Sequence, residues 1–168
     1  MDTSIEVHAL EVPTFEALFA EQRTRLFTSL WLVTRDRHEA EEIAQDAFVK
    51  VWERWDRRGA PDDPTAYLYR TAMNITRNRR RRAAVALRHG WFGKESPDEL
   101  DAVESRDLVM RALGALTPSQ RAALVLMDLL DMSSTEAADA LGVRPSTVRV
   151  LAARGRATLA TQIGANDG

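Results

Sequence analysis

Apolar residues recur along most of the chain with the 3.6-residue period of an amphipathic α-helix. Two such stripes fill the first third of the sequence. Their apolar members are Phe15, Leu18, Phe19, Leu26, Phe27, Leu30, Trp31 and Val33 in the first, and Ile43, Ala44, Ala47, Phe48, Val51, Trp52 and Trp55 in the second. No segment alternates apolar and polar residues over the length of a half-buried strand. The pattern therefore predicts an all-α fold.

Two interruptions divide the helical pattern. The segment 57–64, which contains Gly and Pro, is predicted to be a loop, and Pro64 and Thr65 begin a third helix after it. The apolar period is lost again near Ala84 and returns at about Ser105. A structureless stretch of roughly 20 residues is uncommon inside one compact domain, so we predict two small helical domains joined by a flexible linker. The boundaries are 10–82 for the first domain, 83–105 for the linker and 106–163 for the second.

The second domain carries the pattern of a helix-turn-helix. Capping boxes at Thr117–Gln120 and Ser133–Glu136 each mark a helix start, and the first of these helices is predicted to continue to about Leu130. Gly142 suits the turn, and Ala138, four residues earlier, lets the two helices approach. The predicted inward positions are Ala137, Leu141, Val143, Val148 and Leu151. The predicted outward positions are Ser146, Thr147, Arg149, Ala153 and Arg154. An αα-hairpin that binds no DNA is the alternative.

Charge is distributed in blocks along the chain. The 168 residues have a net charge of −2, which by itself argues against a nucleic-acid partner. Counted by segment, the net charge is −6 in residues 1–63, +8 in 64–94, −5 in 95–107 and +4 in 144–156. A block of one sign acts on its partners locally, whatever the total. The two basic blocks therefore favour nucleic-acid binding.

Two predicted helix faces carry candidate binding residues. Opposite the apolar Leu68, Ala72 and Ile75, the third helix presents a basic face made of Tyr67, Arg70, Asn74, Arg77, Asn78 and Arg81. Arginine suits phosphates, and Asn or Tyr can contact or stack on bases; a solvated helix end is the alternative. The second helix presents Glu42, Asp46, Val49 and Glu53, with Gln45 beside them. This stripe is either a solvated face or a docking surface for a basic protein partner.

The sequence lacks the residues that several classes of protein require. The chain has no Cys, which excludes disulfides, thiolate zinc sites and a cysteine nucleophile. It has no apolar run of ~20 residues and no basic start typical of a signal peptide, so a cytoplasmic protein is predicted. Metal-binding His pairs, a phosphate loop and a nucleophile elbow are absent from the sequence. No catalytic residue, metal site or cofactor is predicted. An all-helical enzyme and a free-standing helix-turn-helix repressor or activator are the alternative classes.

Three segments, in this order, resemble bacterial sigma-70-type factors of the small extracytoplasmic-function (ECF) group. Residues 40–52, with the sequence AEEIAQDAFVKVW, resemble the segment that binds core RNA polymerase. Residues 67–81, from Tyr-Leu-Tyr-Arg to the arginine run, resemble the helix that recognises the −10 promoter element. Residues 116–121 and the helix-turn-helix resemble the −35-binding domain. The resemblance spans about residues 15–160 and implies a sigma region 2 helical bundle followed by a sigma region 4 helix-turn-helix.

The resemblance implies a sigma factor that directs core polymerase to promoters and melts them. It implies contacts to the β′ clamp helices of core polymerase by Glu41, Glu42, Gln45, Asp46 and Val49, and it implies the polymerase β subunit as a further contact of the chain. It implies −10 contacts by Arg70, Asn74, Arg77, Asn78, Arg80 and Arg81, with the 57–64 loop holding an unstacked base. It implies −35 contacts by Arg144, Ser146, Thr147, Arg149 and Arg154. An anti-sigma factor is implied as a further partner, although some members of the group lack one.

The chain departs from the family's pattern at three places. Arg144-Pro145 stands where a Ser cap usually opens the recognition helix, and Leu151-Ala152 stands where Arg-Leu is frequent. Asn78 stands where Asp is frequent. The −35 contacts are therefore the part of the site that differs most from the family.

Overall fold

The computed structural model describes residues 13–88 and 104–164, without the side chains of residues 104–107. These ranges form seven α-helices and a short π-helical segment, and they contain no strand, which confirms the all-α prediction. The helices are α1 (Phe15–Thr34), α2 (Arg37–Arg58), α3 (Pro64–Arg88), α4 (Glu104–Gly114), α5 (Pro118–Leu124), α6 (Ser134–Leu141) and α7 (Pro145–Gly164); the π-helical segment is Val125–Leu129, directly after α5.

Local capping chemistry sets the helix starts. The Thr14 hydroxyl accepts a hydrogen bond from the backbone N–H of Ala17 at the start of α1, at 3.2 Å. Thr117 and Ser133 form reciprocal capping boxes with the residues three positions later, as predicted. Such caps satisfy N–H groups that have no partner within the helix and contribute about 1 kcal/mol each.

The first three helices pack into one bundle. Its centre contains the fully buried Leu26 and Leu30 of α1, Ile43 of α2 and Leu68 of α3. Burial of each such side chain stabilises the fold by about 1.5–3 kcal/mol. This bundle holds α2 and α3 side by side, so the acidic and basic faces predicted from the sequence lie on adjacent helices.

Helices α4 to α7 form the second bundle. Gly142 takes the left-handed conformation, with φ of 66°, between α6 and α7, which confirms the predicted turn. Ala137, Ala138 and Val148 are buried as predicted, whereas Val143 is 41% exposed. Ala152, which was not among the predicted inward positions, is buried, because α7 packs through Val148, Ala152 and Gly155. The predicted inward position of Val143 was therefore wrong.

The sequence predicts one continuous α-helix from Thr117 to about Leu130, but the structure does not have one. It changes to π-helical hydrogen bonding at Val125, and the N–H of Leu130 donates to the Val125 carbonyl at 3.0 Å. The segment ends at Leu129, and Asp131, two residues later, has φ of 55°. The wider turn changes which side chains face the core, and Leu129 of the predicted apolar helix is 50% exposed.

The predicted linker lies mostly outside the described residues. Helix α3 extends to Arg88, six residues into the interval 83–105. Helix α4 begins at Glu104. Fifteen residues, 89–103, separate these two ends.

The two bundles contact each other. Helix α6 packs against α3, and α5 and the π-helical segment pack against α1. Val33 near the end of α1 forms a small apolar cluster with Ala122 and Val125, and all three are buried. The helix-turn-helix therefore lies directly on the first bundle.

Candidate nucleic-acid interface

The basic face of α3 is solvent-exposed along most of its length. Arg70, Arg77, Asn78, Arg80 and Arg81 are all exposed, and Asn74 is half-buried. These side chains present up to four charges on one helix face, at a spacing that can follow a phosphate backbone. The structure thus brings the predicted −10 residues together on one surface.

Tyr67 lies between two arginines at the start of this surface. The Arg54 guanidinium carbon is 5.7 Å from the centre of the Tyr67 ring, and that of Arg70 is 5.3 Å from it. Both distances suit a cation–π interaction. The ring is half-buried, so its orientation is fixed while part of it remains accessible.

Arg54 also fixes the loop before α3. Its Nη1 donates to the carbonyl oxygen of Gly59 at 2.8 Å, and Gly59 has φ of 75°. Asp63 closes the other end of the loop by accepting from the N–H of Ala66 at 2.9 Å. Sequence reasoning missed Arg54, because its partner Tyr67 becomes a neighbour only when α2 and α3 pack.

Arg77 points toward the second bundle. Its Nη2 donates to Asn74 Oδ1 at 2.8 Å, and its Nη1 donates to the Leu141 carbonyl oxygen at 2.9 Å. A Cβ at Gly142 would lie 2.6 Å from Arg77 Nη1, so the turn glycine leaves room for this guanidinium. Two predicted −10 residues are thus engaged with each other and with the helix-turn-helix.

The acidic stripe on α2 is exposed but not unpaired. Glu42 and Asp46 both accept hydrogen bonds from Arg79, at 2.6 and 2.9 Å. The hydrogen bond with Glu42 is the main cause that raises the pKa of Arg79 above its ordinary value. The Arg79 side chain therefore crosses from α3 to α2.

An apolar groove runs beside the acidic stripe, between α1 and α2. Its volume is about 860 Å³. Three of the predicted polymerase-binding residues line it, namely Glu41, Gln45 and Val49. The aromatic lining is Phe15, Phe19, Phe27, Phe48 and Trp52. The sequence analysis placed Trp52 on the packed face, but it is 47% exposed and contacts Phe15 edge-on with ring centres 5.1 Å apart.

Helix α7 presents the predicted recognition face. All five predicted −35 residues are exposed, namely Arg144, Ser146, Thr147, Arg149 and Arg154. Arg149 Nη1 donates to the Ser134 hydroxyl at 3.1 Å, which links α7 to the start of α6. Arg156, by contrast, makes two bonds to Asp128, at 2.8 and 2.6 Å. Arg156 therefore joins α7 to the π-helical segment, although it lies on the same basic helix as the predicted −35 residues.

Across the described ranges, His, Asp and Glu side chains form no group of three that could hold a metal ion. None of the helices in the part of the chain that the structure describes has the length and apolar character of a membrane span.

Two family models match the chain. The one described as Sigma-70 region 2 matches residues 18–85, and the one described as Sigma-70, region 4 matches residues 106–159. A region 2 bundle followed by a region 4 helix-turn-helix defines a sigma-70-type factor.

Individual relatives show to which group of sigma-70-type factors the chain belongs. The chain is 31% identical to the ECF RNA polymerase sigma factor SigM of Mycobacterium tuberculosis, over 89% of this chain and 77% of SigM. It is 30% identical to the RNA polymerase sigma-E factor of Streptomyces coelicolor, over 94% of this chain and 90% of the relative. The match to SigE of Mycolicibacterium smegmatis, at 27% identity and 88% of this chain, spans only 61% of SigE. The chain belongs to the ECF group of RNA polymerase sigma factors, as the sequence resemblance predicted.

Two solved structures share the fold. The sigma factor RpoE in complex with the anti-sigma factor NepR, from Bartonella quintana, aligns with a TM-score of 0.71 at 22% identity, over 89% of this chain and 96% of that one. CnrH in complex with the cytosolic domain of CnrY aligns with a TM-score of 0.63 at 28% identity, over 90% and 88%. The predicted arrangement of two helical domains is confirmed.

Proposed function

We propose that this sigma factor, bound to core RNA polymerase in the cytoplasm, reads the −10 element with α3 and the −35 element with α7. The observation that carries the proposal is the exposure of one basic face on each of the two sigma regions. The protein acts by binding and has no catalytic step of its own. Each domain contributes modest affinity, and the polymerase joins the two contacts by holding the domains at the correct spacing.

The α1–α2 groove is the proposed docking site for the β′ clamp helices of polymerase. Glu41, Gln45 and Val49 combine apolar area with acceptors for basic side chains, and the aromatic lining adds buried area on contact. Glu42 and Asp46 reach the partner from the neighbouring stripe. Because Arg79 already pairs with them, they contribute less attraction than two free carboxylates.

Promoter opening is assigned to the start of α3. Separating a base step costs a few kcal/mol, and stacking of one released base on an aromatic ring returns ~1–3 kcal/mol. The Tyr67 ring and the 57–64 loop offer such a platform, and Arg54 and Arg70 beside it suit the flanking phosphates. The remaining −10 residues follow along the same face.

The exposed face of α7 is the proposed reader of the −35 major groove. Arg149 and Arg154 provide the bidentate donors that guanine accepts best, each worth ~1–3 kcal/mol of discrimination. Arg144, Ser146 and Thr147 lie at the start of the helix, where side chains contact base edges or phosphates. An anti-sigma factor is a further proposed partner, because the sigma factor RpoE, which shares this fold, is solved in complex with the anti-sigma factor NepR.

Run-off transcription from genomic fragments with reconstituted holoenzyme tests this function. We expect discrete transcripts that share −10 and −35 sequences and that depend on added sigma factor. Val49→Ala with Trp52→Ala lowers core affinity several-fold with unchanged circular dichroism, while Lys50→Ala, on an adjacent exposed position of α2, serves as the control. Specific, tight promoter binding by the chain without polymerase, together with no transcription, would instead identify a free-standing repressor or activator.

A further inference from the structure

Helix α7 exposes an apolar side chain in the middle of its proposed DNA face. Val150 is 49% exposed, and it lies two residues from each of the buried Val148 and Ala152. Since about 3.6 residues complete one turn of an α-helix, the Val150 side chain projects roughly half a turn away from the core. Its isopropyl group therefore lies on the solvent side of α7, among the residues proposed to face DNA.

Basic side chains border Val150 on both sides along the chain. Arg149 precedes it directly, Arg154 follows about one helical turn later, and both are exposed. One N–H of Arg149 is used by the hydrogen bond from Nη1 to the Ser134 hydroxyl, at 3.1 Å, and its other N–H groups remain for phosphate or guanine. The segment 144–156 contains no acidic residue. These charges favour a polyanion over an apolar protein surface as the partner that covers Val150.

The exposed neighbours of Val150 on the same side of α7 are short. Ser146 lies one turn before it and Ala153 nearly one turn after it, and both are exposed. The major groove of B-DNA is ~12 Å wide, and an α-helix with its side chains is ~10–12 Å in diameter. Because the short neighbours do not hold the helix away from the floor of the groove, the Val150 side chain is long enough to contact a base edge there.

Thymine offers the base edge that suits an isopropyl group. It carries a methyl group on C5 in the major groove, where cytosine carries only a hydrogen and where purines present hydrogen-bond acceptors. The Val150 side chain can remove that methyl group from water. It cannot bond to a donor or acceptor of another base, and a polar group that is covered without a partner loses its hydrogen bond to water. Both effects favour thymine opposite Val150.

We propose that Val150 is a specificity-determining residue, which reads the 5-methyl group of one thymine in the −35 element. Arg149 and Arg154 hold α7 in the groove, and Val150 distinguishes thymine from the other bases at the position that it covers. The inference deepens the proposed −35 contact of α7 and rests on it.

Replacement of thymine by deoxyuridine tests the contact, because the two bases differ only by this methyl group. The probe is a promoter duplex recovered by the run-off transcription described above, in which each thymine of the −35 element is replaced in turn, on either strand. The affinity of the reconstituted holoenzyme is measured by competition against the unmodified duplex. One replacement is expected to weaken binding about fourfold, the factor that corresponds to burial of one methyl group.

Variants at position 150 assign this effect to one side chain. For Val150→Ala, the thymine and deoxyuridine duplexes should bind equally, since the shorter side chain no longer reaches the methyl group. Val150→Thr keeps one methyl group at the same distance from the backbone and should retain part of the discrimination. Val109→Ala is the control, because it removes the same two methyl groups at a 50% exposed position of α4. Its ratio of affinities should equal that of the wild type.

The ratio of two affinities measured with one protein does not depend on how much of that protein is folded. A general loss of stability in a variant therefore lowers both affinities and leaves the ratio unchanged. Only a change in the contact at the modified base alters the discrimination between thymine and deoxyuridine.

The outcomes separate this inference from the function on which it rests. If no promoter is transcribed, or if scrambling the whole −35 element leaves binding unchanged, the proposed function of α7 fails and the inference with it. If scrambling weakens binding but no single deoxyuridine does, or if the element contains no A·T pair, methyl recognition is refuted while the −35 contact stands. An equal deoxyuridine effect in the wild type and in Val150→Ala would place the methyl contact on another residue and overturn the assignment.

Discussion

Arg79 Nη1 lies 2.6 Å from Glu42 Oε2, and this ion pair joins the helix proposed to bind DNA to the helix proposed to bind polymerase. The Arg79 side chain is 29% exposed, whereas that of Glu42 is 47% exposed. One arginine within the run 79–82 therefore stabilises the packing of α2 on α3, although its neighbours point to solvent.

Arg79→Gln tests whether Arg79 stabilises the packing of α2 on α3 and does not bind DNA. We expect the free energy of unfolding to fall by about 1 kcal/mol or less, because a partly exposed pair is screened by solvent. Core affinity should be unchanged or slightly higher, since Glu42 and Asp46 are then free to meet a basic partner. Chemical denaturation and a binding titration with core polymerase measure the two effects. A large loss of promoter affinity in the holoenzyme, with unchanged stability, would place Arg79 on DNA instead.

Arg149 and Arg156 both lie on α7 but have different expected roles, so their alanine variants can be compared directly. Arg149→Ala is expected to lower −35-dependent initiation about 10-fold or more, because a bidentate base contact is worth ~1–3 kcal/mol, and to leave the melting temperature nearly unchanged. Arg156→Ala is expected to lower the melting temperature through loss of the Asp128 pair, with base preference intact. Transcription from templates with an intact and a scrambled −35 element, beside thermal melts, distinguishes them. An equal loss on both templates for Arg149→Ala would argue against a base contact.

Arg54 is expected to act in promoter opening and not in initial binding. Arg54→Gln removes the bond to Gly59 and the contact with Tyr67, so the loop and the ring lose their fixed positions. Permanganate reactivity of −10 thymines should fall several-fold while closed-complex affinity holds. A template already unpaired at −10 should restore transcription. Lys50→Gln, at an exposed position of the same helix, is the control; failure of the unpaired template to rescue would indicate a general folding defect.

Asp128 gives the second bundle an acid-sensitive contribution to stability. The hydrogen bond from Arg156 holds the pKa of Asp128 below its ordinary value of 3.8. A depressed folded-state pKa stabilises the fold above pH 3.8, and this contribution is lost as the pH falls through the lower folded-state value. Asp128→Asn should therefore reduce the free energy of unfolding near pH 6, by under ~1 kcal/mol for so exposed a pair. Wild type and variant should converge below about pH 3, as urea denaturation at several pH values would show.

Local features of the fold were predictable from the sequence. Helix starts at Thr117 and Ser133 and the turn at Gly142 depend on residues within four positions of each other, so a short stretch of sequence determines them. The exposed faces of α3 and α7 followed from helical period and charge. These are also the features on which the DNA-binding hypothesis depends.

Features that join distant segments were not predictable. Arg121 meets Val33 across 88 positions of the chain, and Arg79 meets Glu42 across 37. Nothing in the sequence around Arg121 distinguishes a buried cross-link from a solvated arginine. The π-helical segment was missed for another reason, since its apolar residues at Val125, Leu126, Leu129 and Leu130 are also those expected of a continuous α-helix.

Gly142 carries two constraints at one position. Its left-handed backbone shapes the turn between α6 and α7, and its missing side chain makes the space that Arg77 enters. Any side chain at position 142 would therefore strain the turn between α6 and α7 and crowd the Arg77 guanidinium at the same time. A single substitution at Gly142 should therefore disturb the promoter-recognition helix α7 and the Arg77 side chain of α3 together, whereas a substitution at an exposed position of α7 disturbs only the first.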